Sequence, residues 1–148
     1  MKIEIDQSGR IEETNRDTIL AAANEKYQFS VKISGRTKRR LLEEFRQKGK
    51  PKIYTIRTFA AGLFYLIINY PKTPEQIIID VEYEGKNSLI KDIIGEKDKK
   101  LIDKISFRRI GRNSPAHILA INVFRGKKKP DKTVGLEVLR KLTLKKPR

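Results

Sequence analysis

Residues 76–83 (QIIIDVEY) restrict the choice of fold more than any other segment of this chain. Three consecutive isoleucines without a polar alternation predict a β-strand that is covered on both faces. Such a strand is typical of the middle of an α/β sheet, where helices pack on each side. Pro71 and Pro74 precede it and end a nearly continuous apolar segment, which predicts a buried helix over residues 58–70.

The remaining patterns alternate between strand and helix. Strands are predicted over residues 2–6, 17–23, 26–33, 76–83 and 105–110. In residues 26–33, Tyr27, Phe29, Val31 and Ile33 are expected to face the core, and Lys26, Gln28, Ser30 and Lys32 the solvent. Helices are predicted over residues 35–48, 58–70, 88–104 (interrupted at Gly95), 114–124 and 134–142, and residues 52–56 form a short strand or a lead-in.

This order predicts an α/β protein with a mixed sheet. The first three strands are joined by short links, which favours an antiparallel meander, and the later strands are separated by helices, which favours parallel pairing. Ser34 and Ser114 are expected to cap helices, and Pro115 suits the first helical position. We place one domain over residues 1–126 and a basic C-terminal helix and tail over residues 127–148, packed on the domain or extending from it.

The chain has 148 residues and a net charge of +16, and the charge is unevenly distributed. Residues 1–34 and 72–104 each carry a net −1, whereas residues 35–71 carry +7 and residues 105–148 carry +11. Lysine and arginine coating solvated helices would explain part of this excess. Contact with nucleic acid, DNA or RNA, explains more of it, because guanidinium groups suit phosphate. The candidate contacts form three clusters: Arg36, Lys38, Arg39 and Arg40; Arg108, Arg109 and Arg112; and Lys127, Lys128 and Lys129.

Several classes are excluded or disfavoured. The chain has no cysteine, which excludes disulfides, thiolate zinc sites and a cysteine nucleophile. The start of the chain lacks the layout of a signal peptide, and its longest apolar stretch is too short for a membrane span, so we expect a cytoplasmic protein without a membrane partner. Neither GxGxxG nor GxxxxGK[ST] occurs. The isoleucine-rich composition is typical of a thermophile.

Three acids follow or end the predicted strands. Asp6 ends the first strand, and Asp80 and Glu82 share one face near the end of the strand over residues 76–83. Because sites in α/β sheets form at the carboxyl ends of strands, these acids are candidates for an oxygen-rich site that selects Mg²⁺ or Mn²⁺. Each also has a structural interpretation: Asp6 caps a turn, Asp80 ends a strand, and Glu82 is solvated.

His117 is the only histidine, and it lies in the first turn of the helix over residues 114–124. The helix dipole there disfavours protonation, which suits a metal ligand or a proton acceptor. The residues around it are small and apolar, so a plain core histidine is the alternative. A serine-hydrolase triad is improbable because Ser8 has no base available.

Two motifs carry a resemblance to a known family: IEIDQSG at residues 3–9 and IIIDVEY at residues 77–83. The first resembles the IDESG opening strand of one group of the ribonuclease H-like (RuvC-like) nuclease superfamily, and the second resembles that superfamily's fourth strand with a second aspartate. A final strand followed by the helix over residues 114–124 resembles the segment that supplies the last acid or histidine in RuvC-type resolvases. The resemblance implies a ribonuclease H-like fold over nearly the whole chain.

The resemblance also implies a nuclease that uses Mg²⁺ or Mn²⁺ to hydrolyse phosphodiester bonds. Asp6 and Asp80 would be metal ligands, His117 the last ligand or base, and Glu82 an auxiliary acid. The resemblance also leaves a homodimer as a candidate assembly, since RuvC-like resolvases act as dimers. Gln7 departs from the pattern, and only Glu43 or Glu44 stands where ribonuclease H has its helical glutamate. The alternative function is therefore a nucleic-acid-binding protein with a degenerate site that does not cut.

Overall fold

The structure, a computed structural model, describes residues 1–144 and contains one mixed sheet flanked by helices. The six strands lie in the order β5-β4-β1-β2-β3-β6. The strands are β1 (Lys2–Ser8), β2 (Thr18–Ala23), β3 (Gln28–Ile33), β4 (Gln76–Ile79), β5 (Ile105–Phe107) and β6 (Lys132–Thr133). The helices are α1 (Gly35–Gln47), α2 (Tyr54–Asn69), α3 (Asn87–Lys97), α4 (Pro115–Phe124) and α5 (Leu136–Thr143).

The strand directions confirm the predicted combination of a meander with parallel strands. β2 pairs antiparallel with both β1 and β3. β4 pairs parallel with β1, and β5 pairs parallel with β4. Ile5 lies opposite Ile79, and Ile79 lies opposite Phe107. β1 therefore lies in the interior of the sheet, and the carboxyl ends of β1, β4 and β5 meet at one edge.

The two faces of the sheet are covered unequally. The larger core lies on the face covered by α1 and α2 and also includes side chains of α3 and α5. On the other face α4 packs on β1, β2 and β3, and a smaller core forms around Ile19, Ala21 and Leu119. All six residues of β2 are buried because both faces are covered, which explains why TILAAA forms a strand without polar alternation.

Side-chain caps begin two of the helices as predicted. The Ser34 side chain accepts a hydrogen bond from the Thr37 backbone N, and the Ser114 side chain accepts one from the Ala116 backbone N. Pro115 occupies the first turn of α4, where its missing N–H leaves no hydrogen bond unmade. These local signals place α4, and with α4 they place His117.

Several predicted boundaries were wrong. β1 continues to Ser8, so Asp6 lies within the strand and does not end it. β4 ends at Ile79 and β5 at Phe107, so both are shorter than the strands predicted over residues 76–83 and 105–110. Residues 52–56 do not form a strand, since a 3₁₀ turn over Pro51–Ile53 leads directly into α2. The helix over residues 88–104 is interrupted at Asp98 and not at Gly95, and a 3₁₀ segment, Lys99–Lys104, follows Asp98. β6 was not predicted.

Two further details differ from the sequence-based expectation. Ser30 is fully buried and not solvent-facing, and its backbone N donates a 2.8 Å hydrogen bond to the Asp131 carboxylate. Thr143 ends α5, one residue beyond the predicted helix, and residues 145–148 of the predicted basic tail lie outside the described residues. α5 packs on α1 and α2 with Leu139 fully buried.

Within residues 1–144 no helix is long and apolar enough to cross a membrane.

Candidate functional site

Asp6 and Asp80 come together because their strands are parallel neighbours. Ile5 and Ile79 are register partners, and the Asp80 backbone N donates a 3.0 Å hydrogen bond to the Ile5 carbonyl. Each aspartate is therefore the next residue after the same row of the sheet. The predicted convergence of these two acids at the carboxyl ends of adjacent strands is what the register produces.

Glu82 joins the two aspartates to form a group of three carboxylates, the acidic cluster. One oxygen from each of Asp6, Asp80 and Glu82 lies within 4.8 Å of the other two. Asp6 is 5% exposed, and the Glu82 side chain is 14% exposed. Glu82 was predicted to reach the cluster from the strand itself. β4 ends at Ile79, so Glu82 reaches the cluster from the irregular segment that follows the strand.

The cluster has an unfavourable charge arrangement. Burial, together with the neighbouring carboxylates of Asp80 and Asp6, raises the pKa of Glu82 to about 9. The Glu82 carboxyl therefore holds a proton at neutral pH, since three ionised carboxylates at this separation would repel one another strongly.

The donor chemistry of the acidic cluster suits a small divalent cation. Mg²⁺ prefers carboxylate oxygens at about 2.1 Å, so two of its ligands lie at most about 4.2 Å apart. Oxygens within 4.8 Å of one another need only small side-chain shifts to reach that geometry. The residues present therefore fit Mg²⁺ or Mn²⁺.

His117 lies beside the acidic cluster and contacts one of its members. Its Nδ1 is 2.7 Å from Asp6 Oδ2, and the other Asp6 oxygen accepts a 2.9 Å hydrogen bond from the Gln7 backbone N. A neutral His117 that donates through Nδ1 presents the lone pair of Nε2. The side chain is 30% exposed, so Nε2 is the atom left to serve as a ligand or a proton acceptor.

Two contacts, one with β1 and one with the turn that follows it, hold α4 in the position that His117 needs. The Ser114 hydroxyl donates a 2.8 Å hydrogen bond to Glu4, and Phe124 packs on Gly9. Gly9 has a φ of +79°, and a Cβ there would lie 2.2 Å from the Asp17 carbonyl oxygen. Only glycine fits this turn, and the turn lets the end of α4 close on the end of β1.

The loop between β1 and β2 holds the segment that carries Glu82. Arg10 Nη2 donates a 3.0 Å hydrogen bond to the Glu82 carbonyl, and Arg10 Nη1 lies 3.9 Å from the Glu82 carboxylate. The Arg10 guanidinium also lies 4.6 Å from the centre of the Tyr83 ring. The Tyr83 hydroxyl accepts a 3.1 Å hydrogen bond from the Ile11 backbone N and donates to Glu12. Arg10 was not predicted as a site residue, because its partner is 72 residues away and leaves no local sequence signal.

Asp80 also anchors the loop that follows β5. Its Oδ1 accepts a 2.8 Å hydrogen bond from the Ile110 backbone N. The loop then turns through a hydrogen bond from the Ser114 backbone N to the Gly111 carbonyl and enters α4. Residues 108–113 thus lie directly beside the acidic cluster.

Lys38 was wrong as a candidate nucleic-acid contact, because its side chain is fully buried. Its ammonium donates hydrogen bonds to the Arg10 carbonyl at 3.1 Å, the Glu13 carbonyl at 2.8 Å and the Thr18 hydroxyl at 2.9 Å. Burial lowers the pKa of Lys38 to about 8. Lys38 therefore stabilises the β1–β2 loop from below, which a run of basic residues does not reveal.

The other nine candidate contacts are all exposed, but some already have partners. Arg39 donates to the Thr14 carbonyl, Arg109 pairs with Glu84, and Lys128 donates to Gln28. The structure leaves these residues available at the surface: Arg36, Arg39, Arg40, Arg108, Arg109, Arg112, Lys127, Lys128 and Lys129.

The two glutamates of α1 do not join the acidic cluster. Glu43 pairs with Arg46 at 3.7 Å, and Glu44 accepts two hydrogen bonds from Arg140 of α5. Within residues 1–144 the cluster therefore consists of Asp6, Asp80 and Glu82 alone.

A surface pocket lies away from this chemistry. A surface pocket of about 650 Å³ opens at the amino end of β1 and is lined by residues that include Lys2, Glu4, Tyr27 and Lys72. None of the three clustered carboxylates lines it. The acidic cluster is therefore separate from this pocket.

Comparison of the chain with protein-family models, with curated proteins and with solved structures found no match to any of them.

Proposed function

We propose that this chain binds nucleic acid and hydrolyses phosphodiester bonds with a divalent metal ion held at Asp6, Asp80 and Glu82. One observation carries the proposal. Three carboxylates converge within 4.8 Å at the carboxyl ends of two adjacent parallel strands, in a chain whose net charge is +16. An acidic focus in a strongly basic protein suits a substrate that is itself a polyanion but reacts at a metal ion.

The sheet supports a ribonuclease H-like fold. An antiparallel three-strand meander is extended on the other side of β1 by two parallel strands, β4 and β5. Asp6 on β1 and Asp80, the residue after β4, are neighbours in the sheet, which supports the metal site that the resemblance to that superfamily implies.

Each residue of the site has a distinct task in this proposal. Asp6 and Asp80 would hold the metal ion. Glu82 would release its proton to solvent when the ion binds, because the positive charge of the ion favours the ionised carboxylate. A bound Mg²⁺ or Mn²⁺ would activate water and stabilise the leaving oxygen. His117 orients Asp6 through Nδ1 and accepts a proton or binds the ion at Nε2. The exposed arginines hold phosphates.

A cleavage assay tests the proposal. Purified protein is incubated with labelled single-stranded DNA, duplex DNA, RNA and an RNA–DNA hybrid, with Mg²⁺, with Mn²⁺ or with chelator. We expect cleavage that needs the metal and falls by at least about 10²-fold in Asp80→Asn, since removing one stabilising group from an active site commonly has that effect. Asp92→Asn is the matched control, because Asp92 is exposed on α3 and has no hydrogen bond or ion pair within residues 1–144.

A different result would refute hydrolysis. If a clean preparation cuts none of these substrates with either ion, or if Asp80→Asn cuts as well as Asp92→Asn, the acidic cluster is not a nuclease site.

The second candidate function is nucleic-acid binding without cleavage. It is favoured by the absence of a fourth acid at the cluster among residues 1–144, where Glu43 and Glu44 pair with arginines instead. It predicts steeply salt-dependent binding that survives Asp80→Asn, together with no cleavage by the unmodified protein. Binding and cleavage measured on the same preparations separate the two functions.

A further inference from the structure

We infer that Arg108 and Arg112, on the loop after β5, are the residues that hold the nucleic-acid backbone at this site, and that the lysine run at residues 127–129 does not. The inference rests on the nucleic-acid binding proposed above but not on hydrolysis. It places the path of the bound nucleic-acid strand on the β5 side of the acidic cluster. It is carried by the register of the sheet and by the ion pairs of the described residues.

Arg108 occupies the same row of the sheet as the two aspartates. Ile5, Ile79 and Phe107 are register partners across β1, β4 and β5. The residues that follow them are Asp6, Asp80 and Arg108, and the hydrogen bonds continue to that row. The Asp80 backbone N donates to the Ile5 carbonyl and the Arg108 backbone N to the Ile79 carbonyl, each at 3.0 Å. Because strands lie about 4.8 Å apart, the Arg108 backbone is one strand from Asp80 and two from Asp6.

The loop after β5 is held in place beside the cluster. The Ile110 backbone N donates to Asp80 Oδ1, so the loop is hydrogen-bonded to one of the candidate ligands itself. Arg108, Arg109 and Arg112 are all exposed. Arg109 pairs with Glu84, whereas Arg108 and Arg112 form no ion pair and no side-chain hydrogen bond within residues 1–144. Two guanidinium groups thus stand unpaired on a loop whose backbone is fixed.

The lysine run lies at the other end of the sheet. Lys128 Nζ is 3.2 Å from the Gln28 side chain, and Gln28 is the register partner of Ala23. Ala23 in turn lies opposite Glu4, near the start of β1, whereas Asp6 lies further along the strand towards its carboxyl end. Lys128 therefore lies beside β3, two strands from β1 and on the opposite side of it from Asp80 and β5.

The occupant that fits this arrangement is a phosphodiester backbone. A row that runs from two carboxylates to an arginine offers a metal position and, beside it, a fork of N–H donors for the oxygens of a neighbouring phosphate. A metal ion and a guanidinium group side by side along one line match a nucleic-acid backbone, which carries a phosphate at every nucleotide. It does not match a single small anion, which would need one position only.

Two double variants with the same change of charge test the inference. Arg108→Gln/Arg112→Gln and Lys127→Gln/Lys129→Gln each remove two positive charges. Binding of fluorescein-labelled single-stranded DNA, its duplex and the equivalent RNA is measured by anisotropy in chelator at several salt concentrations. We expect the slope of log K against log salt to fall by about 1.4–1.8 in the arginine variant, as two lost phosphate contacts require, and to stay unchanged in the lysine variant.

The outcomes separate this inference from the proposed function. Equal losses in both variants, or a larger loss in the lysine variant, would show attraction by overall charge and overturn the inference while nucleic-acid binding stands. If the unmodified protein binds none of the probes, the proposed function fails and the inference fails with it. Tighter binding to phosphatidylserine vesicles than to any of the probes would assign the two arginines to a membrane surface and overturn it as well.

Discussion

Two charged groups are buried at the same end of this sheet, and they are solvated by the protein in opposite ways. The Lys38 ammonium is fully buried and has three oxygen acceptors, two carbonyls and one hydroxyl. The acidic cluster has three carboxylates within 4.8 Å of one another. Arg10 Nη1 lies 3.9 Å from the Glu82 carboxylate, whereas Arg10 Nε lies 2.8 Å from Glu12. Lys38 has its hydrogen bonds complete, whereas the cluster has one distant arginine that is already paired with Glu12.

This difference separates a structural charge from a functional one. A buried charge is tolerated when its hydrogen bonds are satisfied, and removing it leaves acceptors without a donor. A group of like charges without a partner destabilises the fold and persists only where something else uses it, which is why shifted pKa values concentrate at functional sites. Lys38 should therefore behave as part of the fold and the acidic cluster as a site.

The largest expected effect is on the Lys38 side. Lys38→Met should lower the free energy of unfolding by about 2–3 kcal/mol, because two loop carbonyls and the Thr18 hydroxyl lose their donor. Urea denaturation measures the change. Arg40→Met on the same helix is the control, and it should stay within about 0.5 kcal/mol because Arg40 is exposed. Equal effects of the two substitutions would show that the buried ammonium contributes nothing.

The two regions should also respond oppositely to pH in the metal-free protein. Lys38 has a folded pKa of about 8 and an ordinary value of 10.5, so the unfolded chain binds more protons between these values and stability rises with pH there. Glu82 has a folded pKa of about 9 and an ordinary value of 4.5, so the folded chain binds more protons and stability falls as pH rises across that interval.

Urea titrations in chelator between pH 5 and about pH 10.5 measure both slopes, each at most about 1.4 kcal/mol per pH unit. Lys38→Met should remove the rise above pH 8, and Glu82→Gln should remove the fall below pH 9. A profile that is unchanged in both variants would contradict the contrast between the two regions.

A divalent ion should stabilise the protein through the cluster alone. Mn²⁺ at ten times its dissociation constant should add about 1.4 kcal/mol to the free energy of unfolding. The increment should persist in Lys38→Met and vanish in Asp80→Asn, which a thermal melt with and without Mn²⁺ detects. An increment retained in Asp80→Asn would place the ion elsewhere.

The smallest expected effect is a gain. In chelator Asp80→Asn should raise the free energy of unfolding by about 0.5–1 kcal/mol, because it removes a carboxylate that repels Asp6 and disfavours the ionised form of Glu82. The amide oxygen keeps an acceptor for the Ile110 backbone N, so the loop after β5 stays attached. A loss of more than about 1 kcal/mol in urea denaturation would show that Asp80 is structural.

Much of the frame of this site could be predicted from local patterns. The serine cap and Pro115 locate α4 and its histidine, and the apolar run at Ile77, Ile78 and Ile79 locates the buried strand before Asp80. The alternation of the first strands and the helices between later ones fix which strands are parallel. These signals suffice to bring Asp6 and Asp80 to one edge.

The rest depends on contacts between distant residues, which no local pattern records. Lys38 stands in a basic run that is typical of a solvated helix face, and only the fold of the β1–β2 loop above it explains its burial. Glu82 reaches the cluster through an irregular segment and not through strand alternation. Arg10 and Glu82 meet across 72 residues, so neither residue carries a sequence signal for the other.

The position of β1 has a consequence for how this protein folds. Asp6 meets His117 across 111 residues, and Glu4 meets Ser114 across 110. Closing such long segments costs chain entropy before any of these contacts can compensate for it, which slows folding relative to a helical bundle of the same size. The pairing of Asp6 with His117 therefore forms only when the fold is complete. A chain that has formed only the β1–β2–β3 meander already has Asp6 in a strand, but His117 reaches Asp6 only when α4 docks.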